Sequence, residues 1–210
     1  MGQSEKMQIT SDLVKQLRDG TGAGMMDCKR ALEESNGDLE RAQELLREKG
    51  LAAAAKRAGK LASEGLVDAY IHMQGKMGVL VEVNSETDFV ANTDEFRRLV
   101  RDIAMQIAAS NPEWITREDV PDEVIAQERK IYEVQARESG KPDNVIEKIV
   151  DGKLEAFFKE RVLLDQPFFK DQDGKQTVAG RISEESAKMN EKIEVRRFSR
   201  FVRGEDVATG

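Results

Sequence analysis

The chain has 210 residues, 39% of them hydrophobic and 35% charged, with a net charge of −7. That length allows one compact domain with a small appendage, or two small domains. The acidic balance lacks the basic excess from which nucleic-acid binders draw most of their affinity, and no apolar run approaches the ~18 residues a membrane-spanning helix needs.

Two residue types narrow the chemistry further. One cysteine, Cys28, excludes an internal disulfide framework and fits a reducing, cytoplasmic setting. With His72 as the single histidine, a Cys/His zinc site cannot be assembled in one chain. A Cys28–His72 catalytic pair is arithmetically available, but Cys28 falls inside an amphipathic helix pattern and nothing orients the pair. No phosphate-binding loop of the G-x-x-x-x-G-K-[ST] kind and no G-x-G-x-x-G fingerprint occurs. The opening "MGQSEKMQIT" lacks the apolar centre of a signal peptide, and Lys6 breaks the myristoylation pattern. Composition thus argues for a protein without catalytic residues, metal or cofactor.

In chain order, residues 1–8 read as a flexible N-terminus and 9–50 as three short helices. The first, from about Ser11 to Arg18, carries Ile9, Leu13, Val14 and Leu17 at helical spacing behind Thr10 or Ser11 as cap. "DGTGAG", Asp19 to Gly24, reads as a turn. The second helix runs from about Met26 to Ser35 and stops at Asn36-Gly37. Asp38 caps the third, with Leu39, Ala42, Leu45 and Leu46 on one face and Gly50 as its end. Residues 51–64 read as an exposed helical linker, in which Lys56, Arg57 and Lys60 form a solvated basic face rather than a nucleic-acid contact.

A core domain is expected over 65–205. "LVDAYIH" and "GVLVEVN" flank "MQGKMG" as a hairpin flanks its tip. Val79, Val81 and Val83 alternate with Leu80 and Glu82, as in a strand with one buried face. Phe96, Leu99, Val100, Ile103, Ala104 and Ile107 mark a helix face that ends near Asn111-Pro112. A polar helix runs from Pro121 to Ser139-Gly140, and Pro142 opens another, with Gly152 as an interruption. "DQPFFKDQDGKQTV" reads as loop. A short helix from about Ser183 to Met189 and a last strand with a bulge near Arg197 complete the domain, and 206–210 form a flexible tail. The sum is an α+β fold: a three-helix module, a linker, and a small antiparallel sheet packed against helices.

A few side chains stand out. Met25 and Met26 are adjacent on a helix and point about 100° apart, so both cannot sit centrally in one small core. Packing of at least one is the simpler reading; with Arg18 nearby, the other can form an apolar contact patch. His72 and Trp114 read as structural. Asp88 and Phe89 lie in "NSETDFVANTDEF", a polar stretch after an apolar strand. Either Phe89 packs down as a staple at a helix start, with Asp88 at its positive end, or it is an aromatic anchor presented to a partner.

The longer motifs bear on that choice. "LVKQLRDGTGAGMMDCKRALEESNGDLERAQELLREKG" (13–50) resembles the N-terminal signature of the bacterial elongation factor Ts family, and "VEVNSETDFVAN" (81–92) its second signature. "DIAMQIAASNPEWI", "SGKPDNVIEKIVDGKLEAFFKE", "LLDQPFFKD" and "IEVRRFSRFVRGE" are similar to it as well, so the resemblance spans Ile9 to Glu205. It implies a three-helix module of the ubiquitin-associated type and guanine-nucleotide exchange on elongation factor Tu. It implies that Thr87, Asp88, Phe89 and Val90 insert beside the magnesium and phosphate site of that GTPase. It further implies that Arg18, Met25 and Met26 touch its nucleotide domain, and that Lys76, Met77 and Gly78 at the hairpin tip contact it. With one hairpin before the TDFVAN segment, the chain resembles the short form, for which pairing of two copies through the core is implied. Three rival readings are an adaptor of the ubiquitin-associated type without exchange activity, a hydrolase using scattered carboxylates, and an RNA binder. The core and the TDFVAN segment are surplus to the first. The second has no supporting constellation. The acidic charge and an aromatic content of 5% disfavour the third.

Overall fold

The computed structural model describes residues 9–205 other than 22, 58 and 141, with backbone alone at 51 and 53–55. The expected flexible ends, 1–8 and 206–210, lie outside the described residues. The fold is α+β, as the sequence pattern predicts. Its elements are α1 (Ser11–Thr21), α2 (Met25–Glu34), α3 (Leu39–Arg57), β1 (Glu64–His72), β2 (Met77–Ser85) and α4 (Asp88–Ala91), followed by α5 (Asp94–Ser110), α6 (Asp122–Glu138), α7 (Asp143–Arg161), α8 (Val178–Met189) and β3 (Ile193–Val202). Two compact units emerge. Of the described residues, one takes in those up to Gly65 together with Asn84–Phe96 and Ile182–Glu194; the other holds Leu66–Val83, Arg97–Arg181 and those from Val195 onward.

In the first unit, α1, α2 and α3 close on a small core of Val14, Leu17, Cys28, Ala31, Leu32 and Ala42. Each fully buried leucine contributes about 2 kcal/mol, so a core of this size stabilises the module only modestly. The local signals act as expected at most joints. Thr10 Oγ1 accepts from Leu13 N at 3.3 Å. Asn36 and Gly37 take left-handed φ values of 52° and 85° to end α2, and Asp38 Oδ1 accepts from Arg41 N at 3.0 Å to start α3.

Two joints differ from the sequence reading. Helix α1 runs on through Asp19 and Gly20 to Thr21, because the Thr21 hydroxyl donates to Leu17 O at 2.7 Å and accepts from Ala23 N at 3.3 Å. Nor does Gly50 end α3. The alanine-rich run beyond it favours helix, and Gly50 serves a close approach instead: a Cβ there would lie 3.2 Å from Ala187 Cβ of α8.

The sheet is antiparallel in the order β1-β2-β3. Central β2 buries Val79, Val81 and Val83 and leaves Leu80 half exposed. The hairpin turns through Met73, Gln74 and Gly75, all at positive φ. Burial along β3 changes phase at Arg196–Arg197, where both side chains are exposed; that is where a bulge was expected. In α5, Leu99, Val100, Ile103, Ala104 and Ile107 form the predicted buried stripe. Helices α6 and α7 pack on Ala136, Ile146, Val150 and Leu154.

Gly152 does not interrupt α7, which is continuous from Asp143 to Arg161. One interior glycine costs about 1 kcal/mol, less than the buried apolar face on either side of it stabilises. Helix α8 begins at Val178, five residues before the predicted start. Thr177 Oγ1 accepts from Gly180 N at 3.1 Å there, a cap masked in the sequence by the polar loop that precedes it.

Candidate functional site: the turn after the second strand

Strand β2 ends at buried Ser85, whose hydroxyl donates to Thr87 O at 3.0 Å and bends the chain out of the sheet. Thr87 then adopts extended backbone and caps the four-residue helix α4, its side chain accepting from Val90 N. The far end is closed by shorter bonds. Asn92 Nδ2 donates to Asp88 O at 2.9 Å, and the Thr93 hydroxyl donates to Val90 O at 2.8 Å. Ala91 is buried and Val90 half-buried, so the inner side of the turn is packed. Phe89 points the other way and is 86% exposed. Leaving an aromatic of this size in water forgoes roughly 2–3 kcal/mol of burial, and none of residues 87–92 takes a left-handed φ that would force it out. The staple reading of Phe89 therefore fails in the folded chain: the helix start exists, but its cap is Thr87 and its aromatic faces outward. Asp88 is exposed in the first turn of α4.

Acidic side chains hold this turn from two directions. The Glu191 carboxylate accepts from Thr87 N at 3.0 Å and from the Thr87 hydroxyl at 2.5 Å. Glu86 accepts from Lys60 Nζ at 2.7 Å and from Lys192 N at 2.6 Å. The Lys60 ammonium, then the Lys192 amide, hold the Glu86 carboxyl below the usual glutamate range. None of Glu86, Lys192 and Glu191 was singled out from the sequence. Glu191 lies 104 positions from its partner, and no local pattern marks such a pairing.

The other sequence candidates are distributed as follows. Arg18 is exposed on α1 in the same compact unit as α4. Met25 and Met26 are 54% and 66% exposed, so neither packs into the module, contrary to the simpler sequence reading. Met25 shares a face with Cys28 and Leu32 but occupies the first position of α2, and the buried core starts only at Cys28. Lys76, Met77 and Gly78 belong to the second unit. Lys76 is exposed, its carbonyl accepting from Arg203 N at 2.9 Å. Met77 and Gly78 are half-buried in β2, while the outermost turn is formed by Met73, Gln74 and Gly75.

The residues with reactive side chains are occupied structurally. The Cys28 thiol is fully buried and donates to Ala23 O at 3.7 Å, and burial pushes its pKa up, away from the thiolate a nucleophile needs. His72 stacks on Tyr70 at 5.6 Å between ring centroids and shares a 2.9 Å hydrogen bond with its hydroxyl. Trp114 packs against Phe157 at 6.0 Å. Among the described residues no group of His, Cys, Asp and Glu is disposed to hold a metal ion, and no helix is long and apolar enough to cross a membrane.

A rigid turn that exposes a large aromatic, in a chain that also exposes two adjacent methionines, has the makings of a docking surface; the class is that of a protein that acts by binding another macromolecule. Comparison with known proteins specifies which. The profile of the family described as Elongation factor TS matches residues 34–205. The chain is similar to the elongation factor Ts of Carboxydothermus hydrogenoformans, 62% identical over 200 residues that cover 95% of this chain and 91% of that one. It is 61% identical to that of Moorella thermoacetica over 194 residues, 92% of this chain and 95% of that one. For a Thermoanaerobacter relative the figures are 58% over 201 residues, 96% and 98%. The chain belongs to the elongation factor Ts family, and its role lies in translation elongation.

Proposed function

We propose that this chain is a guanine-nucleotide exchange factor for elongation factor Tu, and that Thr87–Val90 is the segment that enters the GTPase. The observation that carries the reading is Phe89, 86% exposed on a turn bonded at both ends, in a member of this family. The physics is linkage. A factor that binds the empty GTPase more tightly than its GDP complex must weaken GDP by the same factor. It does so through contacts incompatible with the nucleotide and its ion. Phe89 acts as a wedge beside the magnesium and phosphate site, where loss of the ion leaves phosphate charge uncompensated. Asp88, next to it, competes for polar groups near the ion. Arg18 with exposed Met25 and Met26 forms a second contact, and Lys76, Met77 and Gly78 a third. No covalent bond changes, so the chain is not an enzyme in the usual sense and needs no cofactor.

Release of fluorescent GDP from elongation factor Tu, followed by stopped flow with excess unlabelled GDP, tests this. The native chain accelerates release strongly, and Phe89→Ala loses most of the acceleration while keeping its fold. A folded native chain without effect overturns the reading and favours the adaptor of the ubiquitin-associated type.

We also propose that two copies pair through the core. Strand alternation sets Val67, Ile71, Leu80 and Phe201 on the sheet face opposite Val79, Val81 and Val83, and these four are 55%, 62%, 49% and 71% exposed. Monomeric proteins rarely leave an apolar face of this kind open. Sedimentation equilibrium across a dilution series checks it: the dimer dissociates on dilution, and earlier for Phe201→Asp.

A further inference from the structure

We infer that Glu191 is a positioning residue for exchange: it fixes the turn that carries Phe89, a role that rests on the wedge reading above. The geometry is a clasp closed from both sides of one short stretch. Helix α8 ends in left-handed Asn190, with a φ of 58°. Glu191 N donates to Ser186 O at 3.2 Å, six residues back counting both ends, and the Ser186 hydroxyl donates to Glu191 O. The Arg57 guanidinium donates to Asn190 Oδ1. The residue after the helix is thereby fixed in backbone before its side chain does anything. Its half-buried carboxylate then accepts both the amide and the hydroxyl of Thr87, at 3.0 and 2.5 Å. Glu86 reaches back along the same seam to Lys192 N at 2.6 Å. Each of two adjacent pairs, 86–87 and 191–192, thus donates to a carboxylate of the other.

The clasp matters because α4 is too short to hold itself. A single helical turn fixes several dihedrals for one or two internal bonds and is unfavourable alone. The Thr87 cap bond to Val90 N is long, at 3.5 Å, so the N-terminal end of α4 is weak from within. Two bonds to one ionised acceptor are stronger than neutral ones, and they enter at that weak end. An ordered turn presents Phe89 without an ordering cost at the moment of insertion. In Glu191→Ala, that cost falls on the exchange step.

The test compares Glu191→Ala, Glu191→Gln and the native chain in GDP release over a range of factor concentrations, with amide hydrogen exchange on the free proteins. If Glu191 positions the wedge, Glu191→Ala lowers the maximal acceleration by about tenfold, as loss of two exposed charge-assisted bonds suggests. The half-saturating concentration stays put, because the contacts of the N-terminal module are untouched. Glu191→Gln, which retains one acceptor oxygen, falls between. Amide protection drops at Thr87 through Asn92 and stays native in α5. A native maximal rate in Glu191→Ala overturns the proposal, as does a loss that tracks global unfolding. If the native chain itself fails to release GDP, the exchange reading falls and the positioning role with it; unchanged protection at Thr87 would then refute the clasp as well.

Discussion

Phe89 and Phe96 stand seven residues apart, each close behind a threonine that caps a helix, and one is 86% exposed while the other is wholly buried. The two segments are built alike. Thr87 accepts from Val90 N at 3.5 Å and Thr93 from Phe96 N at 3.2 Å, and an aspartate follows each cap. In both, the residue whose amide reaches the cap faces inward: Val90 is half-buried and Phe96 fully so. Phe89 comes one position earlier, about 100° around the helix. A one-residue offset behind the same cap therefore separates a core anchor from an exposed probe.

The largest expected effect tests the buried member. Phe96→Ala leaves a cavity and should cost about 3–5 kcal/mol of stability, measured by denaturant unfolding. Phe89→Ala should change stability by under about 0.5 kcal/mol, although exchange is largely lost. Equal losses in the two variants would break the comparison. Moving the ring sharpens it: Phe89→Ala with Val90→Phe restores an aromatic to the turn but aims it at the inner side, so GDP release should stay as slow as in Phe89→Ala alone. Next come the caps. Thr93→Ala removes an N-cap bond from the long helix α5 and should cost about 1 kcal/mol. Thr87→Ala removes one from α4, and its effect should concentrate in local amide exchange rather than in the unfolding midpoint.

The smallest effect is electrostatic. Glu86 has a folded-state pKa below its unfolded one, so its contribution is fully present above the unfolded value and is lost as pH falls through the folded one. Unfolding midpoints of the native chain should decline below the ordinary glutamate range, and Glu86→Gln should flatten that decline. An identical pH profile for the two would remove Glu86 from the clasp.

Much of this was legible locally. The asparagine–glycine stop after α2, the Asp38 cap, the valine alternation of β2 and the apolar stripe of α5 depend on near neighbours, and they appear where the pattern put them. The motif resemblance singled out Thr87–Val90 among many polar stretches. Gly50 looks like a helix end until Ala187 stands 3.2 Å from where its Cβ would be. Met25 has the right spacing for the core and lies past its end. Helix α3 runs on past Gly50 because the alanines beyond it favour helix, and Met25 stays exposed because the buried set of α2 begins only at Cys28.

The sequence by itself determined which segments are helices and strands, the caps of α1 and α3, and that an aromatic stands in the turn after β2, because backbone preference and side-chain periodicity act over a few residues. Tertiary structure decided the rest. Whether Phe89 is covered depends on what packs over α4, and whether the turn is fixed depends on a carboxylate 104 residues away. Such contacts arise from the way distant segments meet in three dimensions, and no run of neighbouring residues encodes them alone.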